Sequence, residues 1–531
     1  MRKALTILFL CIPVVVRAAN YYVATKGNDS NPGTLAQPWL TIQKGFSSIS
    51  PGDILYIRGG TYTPVATLVS GMYCGAGVNN KRGTAGNGYK VLAYPGETPV
   101  LDCRNMTGTS YSRAGIMLYS CAYWHIKGIE ITRADQSSGP VHGGSGIYIE
   151  GGNHITVEDC TSHHNGGPGF ETRVPDGDEI QFINCDAYSN WDPYSGIPGD
   201  NSDGFSCGYS SKDRIIRFTG CRSWNNSDDG FDNYEATGYS GIFYYTRCWS
   251  WHNGYRPDGI TEAGQGCGFK YGLDGQVYDG VTRRFSYNCI AYDNRTRGFS
   301  QESANVKKEF YNCIAYANKM HGFSFWGIDI PDILKNNVSF GNASSQVEQL
   351  GTRRISSHNS WDSGVTVTAS DFISVDGKEL ELPRKDNGSL PDINFLHLVT
   401  GSDLIDKGVD TGLPYSGQAP DIGAFELQTS ATSTPSQNVS PAEITMSINP
   451  NPVHNILNVL FMYASTFSVQ DPAASPQILR ILDISGKIFM EKLLVTGVSN
   501  IKFPINLKSG IYNVLILCGG LDISSQKIIV Y

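Results

Sequence analysis

The sequence predicts an all-β chain, a right-handed parallel β-helix followed by a small C-terminal β-sandwich-like domain, and three observations carry that prediction. Cysteines recur in one context (Cys160, Cys185, Cys221, Cys248, Cys289, Cys313) at intervals of 25, 36, 27, 41 and 24 residues. Five residues after each stands an asparagine (Asn165, Asn190, Asn226, Asn253, Asn294, Asn318), and Gly-Phe pairs follow at 169–170, 204–205, 230–231, 268–269, 298–299 and 322–323. Between these marks lie short β-type runs, such as 154–158 and 214–218, punctuated by Gly, Asn and Asp, without helical periodicity. A basic unit of about two dozen residues means a solenoid, and several short strands per unit make each unit one coil. Parallel crossover connections are overwhelmingly right-handed, which sets the expected hand.

Composition agrees. Among 531 residues there are 60 Gly, 29 Tyr and 22 Phe, with only 17% charged, a balance unlike bulk disorder or a helical bundle. The formal net charge of −8 argues against a nucleic-acid partner, which needs a clustered Lys/Arg surplus.

Residues 1–19 read as a signal peptide. Arg2 and Lys3 precede an apolar run from Ala4 to Val16, and the small residues Ala18 and Ala19 close it. Cys11 follows Leu10, where a lipid-anchoring signal would have a small residue. No other stretch approaches the ~18 consecutive apolar residues of a membrane span. Residues 20–426 form the β-helix. Its cysteines lack the Cys-x2-Cys spacing of a metal site and read as small, reduced core residues stacked coil on coil. The asparagines read as turn residues whose amides bond along the stack.

Aligning the coils on Gly-Phe brings chemistry into register. Asp203 and Asp229 each immediately precede a Gly-Phe pair, Asp232 and Lys270 each immediately follow one, and Asp228 stands beside Asp229. Four carboxylates and a lysine therefore converge on a patch about three coils, or ~10 Å, tall. Each Asp-Gly taken singly is an ordinary turn sequence. Together, four uncompensated carboxylates would repel unless they hold a hard cation, and Ca2+ takes six to eight oxygens in flexible geometry. Lys270, one coil from Asp232 and beside such a dication, would have its pKa depressed towards that of a useful base.

These residues, in the order Asp203, Asp228-Asp229, Asp232 and Lys270, resemble the calcium and base positions of pectate lyases of polysaccharide lyase family nine. The resemblance extends over residues 20–426, from Tyr-Tyr-Val-Ala-Thr-Lys-Gly-Asn-Asp-Ser (21–30) to Asp-Ile-Gly-Ala-Phe-Glu (421–426). It implies a secreted lyase that cleaves a 4-linked uronide, pectate first, by β-elimination. Ca2+ on Asp203, Asp228, Asp229 and Asp232 would bind the uronate carboxylate, and Lys270 would take the C5 proton. Cys267 departs from the small polar residue or Asn expected there. Arg247, Arg256, Arg283, Arg295 and Arg297 are the basic groups that could offset repulsion between an acidic protein and an acidic polymer.

Three alternatives stay open: a lyase for another uronide, a non-catalytic calcium-dependent surface adhesin, and a β-helix glycoside hydrolase using Asp228 and Asp229. The hydrolase lacks the Gly-His-Gly and Arg-x-Lys companions of polygalacturonases, and His321 reads as an isolated turn residue. A monomer is expected.

Residues 427–440, rich in Ser, Thr, Gln and Pro, read as a linker. Residues 441–531 carry a compact β pattern. Asn449-Pro450-Asn451-Pro452, Leu482-Asp483-Ile484-Ser485-Gly486-Lys487, Leu507-Lys508-Ser509-Gly510-Ile511-Tyr512 and the terminal Lys527-Ile528-Ile529-Val530-Tyr531 resemble a type IX secretion sorting domain of the Bacteroidota. That implies secretion machinery as a partner and a secreted or cell-surface location. A small carbohydrate-binding β-sandwich is the competing reading, since strand alternation does not separate the two.

Overall fold

The computed structural model describes residues 18–427, apart from 107–113, 136–142, 174–178, 210–213, 235–240, 273–277, 328 and 363, together with the backbone of strands between 444 and 530. Residues 1–17 and 428–443, which hold most of the expected signal peptide and linker, lie outside the described residues.

Three long sheets of 12, 10 and 11 strands form the body, and consecutive coils pair in parallel within each. In the first sheet Asn153–Glu158 pairs with Glu179–Ile183, which pairs with Ile215–Thr219 and then Ile242–Thr246. The second sheet runs through Thr161–His163, Asp186–Tyr188, Arg222–Trp224 and Trp249–Trp251. The third runs through Ser145–Glu150, Phe170–Arg173, Phe205–Gly208, Phe231–Tyr234, Phe269–Lys270, Phe299–Ser300 and His321–Ser324. From Ser145 to Ser324 each coil contributes one strand to every sheet. Along a strand the burial alternates with period two, as in Ile180 and Phe182, then Ile216 and Phe218, which point inward.

The repeated residues form ladders inside the coils. Phe170, Phe205, Phe231, Phe269, Phe299 and Phe323 stack face to face with centroids 4.9, 4.8, 4.8, 4.9 and 4.7 Å apart. Their spacing is that of adjacent strands, so one aromatic per coil fills the same slot throughout. The cysteines from Cys74 to Cys313 are all buried free thiols. Each thiol in the repeat faces a carbonyl of the preceding coil, Cys185 that of Val157 at 3.4 Å and Cys221 that of Phe182 at 3.4 Å. Burial pushes the Cys160 thiol up to about 12.

At the corner between second and third sheets the asparagines form a continuous chain of amide hydrogen bonds. Nδ2 of Asn165, Asn190, Asn226, Asn253, Asn294 and Asn318 donates to Oδ1 of the next member, ending on Asn342, at 2.8–3.0 Å. The glycine of each Gly-Phe pair completes that corner. A Cβ on Gly204 would lie 1.9 Å from Ser223 Oγ and 2.7 Å from the Gly230 carbonyl, so no larger residue fits.

The N-terminal end and one flank are covered. At the N-terminal end the helix Ile42–Ser48, capped by Thr41 Oγ1 accepting from the Lys44 amide at 3.1 Å, tucks Phe46 against Trp124, ring centroids 5.6 Å apart. It blocks an otherwise open end of the core. Residues 361–427 fold back along the second sheet, where Phe372, Leu380, Phe395, Leu404 and Ile422 bury Trp224, Trp249, Trp251, Ile314 and Phe340. The strap is pinned by Arg384, whose Nη2 donates to Asp186 Oδ1 at 2.6 Å, and by Arg222, which grips the same carboxylate and donates to the Leu380 and Leu382 carbonyls. After residue 427 the strands are antiparallel instead: 444–449, 456–463 and 500–504 in one sheet, and 477–483, 488–494, 510–518 and 521–530 in another.

Candidate active site

On the third sheet the inward phenylalanines alternate with an outward row. Asp232 follows Phe231 and Lys270 follows Phe269, and strand pairing sets Ser206, Asp232, Lys270 and Ser300 side by side in successive coils. A second row is set by the residue before each glycine. The amides of Gly204, Gly230 and Gly268 donate to the carbonyls of Asp229, Cys267 and Arg297, so Asp203, Asp229, Cys267 and Arg297 stack in order. Asp228 lies in the same turn as Asp229, between the second and third sheets.

The rows converge as the sequence predicts for Asp203, Asp229, Asp232 and Lys270. The first three each offer a carboxylate oxygen within 4.8 Å of the others. Lys270 Nζ lies 3.1 Å from Asp229 Oδ2 and 3.3 Å from Asp232 Oδ2. Asp228 is not in that triad. Its Oδ1 is held by the Gln265 amide at 2.6 Å, from the extra length inserted in the 41-residue interval between Cys248 and Cys289, before Lys270. Asp203 Oδ1 accepts from the Asp229 amide at 3.1 Å and Asp229 Oδ1 from the Cys267 amide at 2.6 Å, so backbone donors fix the carboxylates.

All five groups are buried, Asp229 completely. Burial, reinforced by the neighbouring carboxylates, pushes Asp203 and Asp228 well above the usual carboxylate range. Burial also raises Asp232, and Lys270 pulls it back to about 6. For Lys270 burial alone would favour the neutral amine, but the carboxylates of Asp232, Asp229, Asp228 and Asp203 outweigh it and hold the ammonium well above its ordinary value. One lysine facing this much acid is an incomplete balance. Asp232 Oδ1 and Asp229 Oδ2 are buried without a hydrogen bond among the described residues, although the second contacts Lys270. Buried carboxylate oxygens of this kind, gathered with a third carboxylate, suit a hard divalent cation.

Several neighbours escape the sequence reading. Gln265 and Cys267 contribute backbone amides, which no side-chain motif reveals. Cys267 was foreseeable as a position, because it occupies the same slot as Asp203 and Asp229 one coil on; its thiol contacts Thr296 Oγ1 at 3.4 Å, away from the carboxylates. Asp200, in the extra length of the 36-residue interval between Cys185 and Cys221, lies near enough to feel Lys270 and Asp229, its carboxyl raised chiefly by burial. His321 is no turn residue. It opens the third-sheet strand His321–Ser324, with Nδ1 2.7 Å from Ser345 Oγ.

Residues 21–345 match the family described as the Pel9A-like, right-handed β-helix region. Pectate lyase L of Dickeya chrysanthemi is 33% identical over 414 residues, covering 76% of this chain and 90% of that protein. Pectate lyase PEL9 of Emericella nidulans is 27% identical over 428 residues, covering 76% and 98%. Among solved structures, pectate lyase Pel9A superposes with a TM-score of 0.63 at 29% identity, covering 78% of this chain and 97% of that one. A rhamnogalacturonan lyase reaches a TM-score of 0.63 at 29% identity, covering 72% and 97%. The chain matches pectate lyases over three quarters of its length and shares their coiled body, and it is a polysaccharide lyase and a member of the Pel9A-like right-handed β-helix family.

Proposed function

We propose that the chain is a calcium-dependent lyase cleaving pectate by β-elimination, with Lys270 as the base. The observation that carries this reading is the contact of Lys270 Nζ with Asp229 Oδ2 and Asp232 Oδ2, beside the buried Asp232 Oδ1 that makes no hydrogen bond among the described residues. Asp203, Asp229 and Asp232 would hold Ca2+, and Asp228, engaged through Oδ1 by Gln265, would bring a fourth carboxylate through Oδ2. When bound, the ion supplies attraction for the uronate carboxylate and stabilises charge developing beside C5.

Lys270 does the proton chemistry. The carboxylates that raise its pKa are the ones whose charge the ion would compensate, and burial is then left to favour the neutral amine. Nζ accepts the C5 proton, the C5–H electron pair becomes the C4=C5 double bond, and the C4–O4 bond breaks with its pair leaving on O4. The new non-reducing end is an unsaturated uronide. Its ultraviolet absorbance, followed on a panel of polyuronides with and without a chelator, tests the reading. Full turnover in excess chelator would sink the metal assignment.

The equal TM-score of a rhamnogalacturonan lyase favours a second reading of substrate, in which the same residues act where uronides alternate with another sugar. Inclusion of rhamnogalacturonan in the panel separates the two. Residues 1–19 and 441–531 we assign to export, as a cleaved leader and a type IX sorting domain that direct the enzyme to the cell surface or medium.

A further inference from the structure

Of the five arginines near the repeat in sequence, four are committed elsewhere. Arg283 is buried and paired with Asp279 at 2.5 Å. Arg256 lies over the Trp191 ring, 5.6 Å from its centroid. Arg295 donates to the Gly264 carbonyl at 2.7 Å and to Glu262 at 3.0 Å. Arg247 sits in the turn between first and second sheets, at a different corner of the coil from Lys270.

Arg297 differs in both place and pairing. It is the next member of the stack Asp203, Asp229, Cys267, and its coil supplies Ser300, the strand partner of Lys270. Its side chain is 20% exposed, and its carboxylate contacts are long: Nη1 to Glu302 Oε2 at 3.7 Å and Nε to Glu348 Oε2 at 3.7 Å. Nε is buried and makes no hydrogen bond among the described residues. Contrast Arg222, which closes a bidentate pair on Asp186 at 2.8 and 2.6 Å. Two glutamates therefore hold the Arg297 guanidinium in place by charge without using up its donors, on the same outer face as the base. A planar fork of donors in that state is suited to a carboxylate.

We infer that Arg297 is a specificity-determining residue that binds a second uronate carboxylate, one or two sugars along from the sugar deprotonated at Lys270. It lies one coil from Lys270 and two from Asp232, about 5–10 Å, a distance that neighbouring sugars of an extended polymer span. The consequence is a requirement for free acid groups on two sugars rather than one, so that methyl-esterification at the second position weakens binding. This rests on the uronide-lyase reading above, and a binding measurement keeps the two separable.

The test uses the full chain with calcium in a Lys270→Ala background, measuring affinity by calorimetry for de-esterified and for fully methyl-esterified galacturonate oligomers. Adding Arg297→Gln should weaken binding of the acid form about tenfold or more, as expected for loss of a charge-assisted pair, and leave the ester form nearly unchanged. Arg297→Lys should recover part of the loss. With Lys270 intact, Arg297→Gln should raise KM on polygalacturonate while kcat stays within a few fold, and the thermal midpoint should hold. Equal affinity of both variants for the acid form overturns the inference, as does an equal loss on acid and ester, which would mark a packing role. Absence of unsaturated product from the wild type, with the acid-selective loss still seen, would instead overturn the lyase reading and leave this one standing.

Discussion

At Lys270 the protein places a buried ammonium within reach of two of the carboxylates that would hold a cation, so the roles of base and ligand are tested by different substitutions. Lys270→Ala should lower turnover by about 10²–10⁴ while calcium and substrate still bind, because the positioned base is lost and the carboxylates that would hold the ion remain. Lys270→Arg should rescue little, since a guanidinium keeps its proton at any working pH. Asp229→Ala removes a carboxylate that touches Lys270 and accepts from the Cys267 amide, and it should weaken calcium affinity measured by titration calorimetry. The pH dependence follows from the base. Turnover should climb towards the alkaline side as the neutral amine becomes more populated, whereas a carboxylate-based hydrolase would do best in mild acid. A flat or acid-favouring profile on pectate would contradict Lys270 as the proton acceptor.

Among the elements, the asparagine ladder and the strap bear most directly on stability. Asn253 both donates to Asn294 Oδ1 at 3.0 Å and accepts from Asn226 Nδ2 at 3.0 Å. Asn253→Ala removes the acceptor of the buried Asn226 backbone amide and of Asn226 Nδ2 and takes one donor from Asn294 Oδ1, for a cost of about 3 kcal/mol in denaturant unfolding. At the strap, Asp186→Asn leaves Arg222 and Arg384 buried without their shared counter-charge, and a loss of about 3 kcal/mol is expected. Acid should reveal the same pair. Burial alone would raise the Asp186 carboxyl, but Arg384 and Arg222 depress it below its ordinary value. Its stabilisation is thus present above the unfolded carboxylate pKa and is lost as pH falls through the lower folded value. Thermal midpoints of wild type and Asp186→Asn should therefore converge as the pH is lowered; a constant gap down to strongly acidic pH would assign the arginines another role.

For the whole molecule, the acid-and-lysine patch is assembled entirely from coils between residues 203 and 270, so truncation after residue 427 should leave turnover on pectate intact while abolishing export. Loss of turnover in the purified truncated chain would mean that the C-terminal strands contribute to the enzyme itself. Truncation before residue 361 should be far more damaging, because it uncovers Trp224, Trp249 and Trp251 on the second sheet and removes Arg384 from Asp186. A large exposed apolar face of this kind leads to aggregation, which light scattering would register.

The coiled body and most of the candidate site were legible in the sequence because a solenoid repeats one environment per coil. The same residue recurs wherever the environment recurs, which is why Cys marked one corner of the coil, Asn and Gly-Phe another, and why Asp203, Asp229, Asp232 and Lys270 could be aligned by counting. What counting does not contain is side-chain direction and contact between segments far apart in the chain. Only the tertiary structure turned Asp228 Oδ1 towards Gln265, brought the Cys267 amide to Asp229, and singled out Arg297 among five arginines. The strap was invisible for the same reason: Arg384 meets Asp186 across 198 residues, outside any period, and nothing in the repeat marks the tryptophans as covered by it. Periodicity determines which residues share a slot; non-local packing and backbone donors decide where those slots face and what they meet.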